Sequence, residues 1–145
     1  MQHSENAELL SGIYKLSKTG MEATKAVIQK VEKSELRDEL EEQYNDYSEA
    51  ASKTEQELVA EGIMPKDLDL FTKAIMWGSI KLHTLNEVSP EHIAEIMING
   101  TTMGIVDLTK HIGECSNADE KIRSYAKDFI KNEEHHIENL KVFLS

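Results

Sequence analysis

The chain of 145 residues carries 27 Asp and Glu against 16 Lys and Arg, a formal charge of −11, which excludes a phosphate-neutralising surface for nucleic acid and disfavours docking to an anionic membrane. Two prolines, seven glycines, 6% aromatics and 30% charged residues fit an all-α protein, one domain spanning residues 1–145. Cys115 is the single cysteine, so neither an intrachain disulfide nor a cysteine-based metal site is expected.

Residues 1–20 hold Glu5 and Glu8 and no sustained apolar run, so they read as neither a secretion signal nor an anchor. No stretch is apolar over the length that spans a bilayer, and a soluble cytoplasmic protein is the expectation.

Ser4 or Asn6 can cap a first helix. Its inward residues, spaced by threes and fours, are Leu9, Ile13, Leu16, Gly20, Ala23, Val27 and Val31, with an end expected near Lys33. Ser34 caps a second helix with Leu36, Leu40, Gln43, Tyr47, Ala51, Thr54 and Leu58 inward, stopped by Gly62 and Pro65. The acids of this helix, among them Glu35, Glu39, Glu42, Asp46 and Glu49, spread around several faces and read as a solvated surface.

A third, shorter helix is expected over 67–86, with Phe71, Ile75, Gly78 and Leu82 inward and Trp77 adding bulk. Ser89-Pro90 places a cap before a proline in the first helical position. It opens a fourth helix with Ile93, Met97, Gly100, Gly104, Asp107 or Leu108, and Ile112 on its inner face. Asn117 with Glu120 three residues on resembles a capping box for the last helix.

The last helix has the clearest stripe: Ile122, Ala126, Phe129, Glu133, His136, Leu140 and Phe143. Glu133 and His136 are thereby placed in an apolar seam, three apart, so both project toward the same partner helices. They are the candidate metal ligands. The competing reading makes them satisfied polar core residues, Glu133 accepting a hydrogen bond from Thr101, Thr102 or His136. His135 is expected in solvent, and Met21, Met97 and Met103 read as gap-filling core.

Two long helices with a tight joint, a link of about 25 residues containing its own helix, and two more long helices with a tight joint make a definite plan. It resembles the ferritin and rubrerythrin superfamily, an up-down four-helix bundle with a long helical crossover between bundle helices two and three. Ile98-Asn99-Gly100-Thr101-Thr102 is similar to the stretch where those helices read Ile-x-Gly-Glu, and Glu133-Glu134-His135-His136 to their terminal Glu-x-x-His. The resemblance implies a site of about four to six carboxylate and imidazole ligands around two iron ions.

Position by position, Glu133 and His136 match that pattern, while Thr101 stands for one glutamate and Met21, after Gly20, for another. Gln43 and Asp46 hold the remaining Glu-x-x-His spacing without either residue type. An iron pair needs several converging anionic donors. The reading that follows is a non-catalytic structural or protein-interaction module with a vestigial metal site, no cofactor expected. The alternative is metal binding, of two irons or of one divalent ion such as zinc or ferrous iron, with Glu22 or Glu42 joining if their helices are rotated.

A second alternative is a histidine phosphotransfer domain, since Lys81-Leu82-His83-Thr84-Leu85 resembles the His-x-Leu start of that motif. It departs from the motif at Asn86 and Glu87, where lysine and glycine should assist the phosphoryl group, and phosphotransfer through His83 is not expected. Gly100 and Gly104 imply close backbone approach, within the bundle or across a dimer seam. With the aromatic-bearing crossover they suggest a homodimer or small oligomer. Asp107 and His111 read as a local pair, and Cys115, beside Glu114, as buried or inert.

Overall fold

The computed structural model describes residues 2–65 and 89–145. These form four helices: α1 (Gln2–Ile28), α2 (Glu35–Ala60), α3 (Pro90–Glu114) and α4 (Glu120–Lys141). No strand occurs among the described residues, and no described helix is long and apolar enough to cross a membrane. The helix expected over 67–86, with Trp77, and the motif around His83 lie outside the described residues.

Local chemistry explains most boundaries. The Ser34 hydroxyl accepts from the Arg37 N–H at 3.3 Å, and α2 stops before Gly62, whose φ of +79° is the left-handed conformation that ends helices. The Ser89 hydroxyl accepts from the His92 N–H at 3.2 Å ahead of Pro90, as its sequence signal implied.

Three boundary expectations are corrected. First, α1 ends at Ile28 rather than near Lys33. The N–H groups of Lys30 and Val31 donate three residues back, which tightens the turn, and Arg37 Nη1 donates to the Val31 carbonyl at 3.3 Å. Second, Asn6 is no cap but a tertiary link inside α1. Its Oδ1 accepts from the Asp119 N–H at 2.7 Å, and its Nδ2 donates to Asp119 at 3.0 Å and to Glu61 at 3.3 Å. Third, Asp119, not Asn117, is the N-cap residue of α4, and the Asn117 N–H is spent on Glu5 Oε1 at 3.1 Å.

These links put the start of α1 beside the end of α2, the end of α3 and the start of α4. Arg123 of α4 closes the α3 terminus, donating to the carbonyls of Ile112 and Cys115 at 2.8 and 2.9 Å.

The inward stripes of α2 and α4 are buried as their spacing predicts, including Gln43, Thr54, Glu133 and His136, except that Phe143 lies beyond the end of α4 and is half-buried. On α3 it is Leu108, not Asp107, that faces inward. Met97 is fully buried and Met21 packs against the core, but Met103, expected there too, is 50% exposed. It sits one position off the Gly100–Gly104 stripe, so the helix turns it outward. Gly104 has a local explanation: a Cβ there would lie 3.3 Å from Leu16 Cδ2 of α1, so its close approach is used inside the bundle.

The core falls into two apolar groups. One holds Leu9, Ile13, Leu58, Leu108, Ile122 and Phe129; the other holds Val27, Leu36, Leu40, Ile93, Met97 and Leu140. Along α2, the buried Gln43 separates Leu40 of one group from Tyr47 of the other, and on α4 Glu133 and His136 separate Phe129 from Leu140. The middle of the bundle is therefore polar.

Candidate functional site

Glu133 and His136 lie on one face of α4 because they are three residues apart, and Asp46 of α2 approaches from the far side of the imidazole. His136 Nδ1 is 2.9 Å from Glu133 Oε1 and His136 Nε2 is 2.9 Å from Asp46 Oδ2. An ionised carboxylate only accepts hydrogen bonds, so with Glu133 and Asp46 both ionised the two contacts correspond to a doubly protonated ring. His136 is an imidazolium clamped between two carboxylates.

Tyr47 shapes the rest of the site. Its ring meets His136 edge-on, centroids 5.4 Å apart, and on its other side fills the space a side chain on Gly20 would occupy. The hydroxyl is buried near Glu133 and Thr101 without a hydrogen bond of normal geometry, and burial, then the Glu133 charge, pushes its pKa well above the ordinary phenol value. Gln43 donates to Glu39 at 2.9 Å, an oxygen that also accepts from Asn139 of α4 at 3.2 Å. The Gln43 carbonyl oxygen is left without a partner.

Two buried threonines near the clamp are spent on their own helices: Thr101 donates to the Met97 carbonyl at 2.8 Å and Thr24 to that of Gly20 at 2.8 Å. Of the three donors considered for Glu133, His136 is the one that binds it. Thr102 is exposed and donates to the Ile98 carbonyl.

Burial alone would push the His136 pKa down, but the hydrogen bonds and charges of Glu133, then Asp46, outweigh it and raise the value. A raised folded pKa means stability fully present below the unfolded value, about 6.5, and lost as pH rises through the folded one. Thermal denaturation between pH 6 and pH 9 should show this loss in the native chain, and the His136→Asn variant should lack that part of the slope. Equal slopes in the two proteins would contradict the clamp.

The sequence-derived ligand pair is thus brought together, with Asp46 added. Glu22 and Glu42, the acids that rotated helices would supply, are both exposed, with Met21 half-buried and Gln43 buried beside them. His135 is exposed as expected. Asp46 kept a ligand spacing in the sequence, yet its role as partner of His136 had no local signal.

A second group lies where α1 begins and α3 ends. His111 faces Asp107 at 3.6 Å through Nε2, and Glu8 and Glu114 at 3.6 and 3.7 Å through Nδ1. The Asp107–His111 pairing is local as expected; the approach of Glu8 from α1 is additional. Cys115 is fully buried, and burial, with Glu8 beside it, pushes the thiol up to about 12. Its Sγ donates to Glu8 Oε2 at 3.1 Å.

No protein-family model matches the chain, and comparison with curated proteins and with solved structures returned no match.

Proposed function

We propose that the chain is a ferritin-like bundle retained as a non-catalytic structural or protein-interaction module, with its central ligand positions converted to a hydrogen-bonded clamp. The observation that carries this is that both nitrogens of His136 are engaged by carboxylates from opposite sides. A metal centre needs donors converging on one point, whereas Glu133 and Asp46 diverge across the ring. Gln43 and Thr101 are neutral, and Met21 stands where the resemblance calls for a carboxylate. These residues do not fit an iron pair, and no step of chemistry is derived through one.

The ferritin-like arrangement is supported by helix direction. The links among Asn6, Glu61 and Asp119, and those joining α2 to α4, make α1 and α4 run one way and α2 the other. The contacts of Glu8 with Cys115 and of Gly104 with Leu16 set α3 against α1. Residue 65 leaves at one end and residue 89 enters at the other, as a crossover between the second and third bundle helices requires. Self-association belongs to the same reading: α3 exposes Met103 and Val106 to 50% and 49%, apolar side chains on one face.

The test is purification without chelator, then iron quantitation on the native protein and on Glu133→Ala. The expected result is no stoichiometric iron in either. Two equivalents of iron in the native chain, lost in the variant, would sink the proposal.

A further inference from the structure

We propose that Glu8, His111 and Glu114 form a divalent-metal site for an ion of zinc type, one that accepts mixed imidazole and carboxylate ligands. Ligand atoms from these three residues lie within 4.8 Å of one another, and among the described residues this is the group of three or more that meets that distance. The site draws on two helices and lies apart from the His136 clamp.

The distances are those of ligands rather than of hydrogen bonds. Nδ1 of His111 is 3.6 Å from Glu8 Oε1 and 3.7 Å from Glu114 Oε1, beyond a normal hydrogen bond. Two metal bonds of about 2.0–2.1 Å at a tetrahedral angle hold their ligand atoms about 3.4 Å apart. Nδ1 is also buried and has no hydrogen-bond partner, an unusual state for a ring nitrogen flanked by two carboxylates.

The surroundings fit the same role. Two carboxylates balance the charge of a divalent ion, and the imidazole favours zinc over the hard cations calcium and magnesium. Glu8 is oriented by the buried Cys115 thiol, which donates to its other oxygen at 3.1 Å. Asp107 Oδ2 lies on the Nε2 side of the ring, 3.6 Å away, too far for a direct hydrogen bond. Glu8 and Glu114 are half-exposed or more, so an ion can enter and water can complete the shell.

The experiment titrates zinc ion alone into the untagged, chelator-treated full chain. Calorimetry is paired with nitrogen NMR of the histidine rings, on the native protein and on His111→Gln and Glu8→Gln. The substituted side chains are surface-accessible, and helical circular dichroism verifies that each variant is folded. One equivalent is expected to bind, the His111 Nδ1 resonance to move, and each variant to lose at least about 10-fold in affinity, the lower limit for altering a metal's supporting shell. No zinc uptake, or uptake unchanged in both variants, would overturn the site. Binding that survives His111→Gln but is lost in His136→Asn would overturn it too, and would place the ion at the central clamp.

Discussion

Glu133→Ala is expected to lower stability by about 3–5 kcal/mol, the range for removing one partner of a buried ion pair. Glu133 and His136 are each only 3% exposed at the side chain, so water cannot replace the lost carboxylate. The variant leaves an imidazolium supported by Asp46 alone, itself 44% exposed and correspondingly screened. It also leaves a cavity beside Tyr47. Urea denaturation measures the loss directly, and the midpoint of thermal unfolding should fall by roughly 10 °C for a domain of this size. An NMR titration should find His136 protonating at lower pH, since Glu133 does more than Asp46 to raise its pKa. A loss below about 1 kcal/mol would mean that the pair behaves as a surface bridge and that the clamp is not structural.

Gly20→Ala is expected to destabilise the chain despite alanine's better helix propensity. In a helix interior the exchange alone should stabilise by about 0.5–1 kcal/mol. At this position a Cβ would stand 2.7 Å from three ring carbons of Tyr47, closer than real side chains come. The ring cannot withdraw, because it is buried against His136. Overpacking of this kind costs about 1–3 kcal/mol, so the net sign is a loss. The same substitution in a Tyr47→Leu background should turn neutral or stabilising. Equal effects in both backgrounds would show that the glycine serves something other than the tyrosine ring.

These cases show which parts of the molecule could be read from the chain and which could not. Every inward position named on α2 is buried, and on α4 Glu133 and His136 are as buried as the apolar residues around them. Helical spacing assigns a face whatever the residue type, so polar side chains in a stripe were legible by position. Caps were legible where one hydroxyl meets one nearby N–H, as at Ser34 and Ser89.

Most of the misreadings are tertiary. Asn6 has a capping side chain but spends it on Asp119, more than a hundred residues away. Asp46 is off the stripe of α2 and partly exposed, so periodicity assigns it to solvent although it closes the central clamp. The carboxylate of Glu8 meets His111 across two helices, a pairing with no sequence period to announce it. Met103 failed for the opposite reason: residue type suggested core, while its place on the helix turned it out.

The polar middle of the bundle also acts on alignment along the helix axes. Apolar side chains are interchangeable in a uniform core, and neighbouring helices can slide past each other by a turn, about 5.4 Å, at modest cost. Here a one-turn slip of α4 against α2 would carry His136 away from Asp46, toward the level of Gln43 or Ala50, and would break its ring contact with Tyr47. A buried charge that has lost one of its two partners is more costly than a misplaced leucine. The clamp thus works as an index mark that sets α4 against α2 in one axial position and rejects the neighbouring ones.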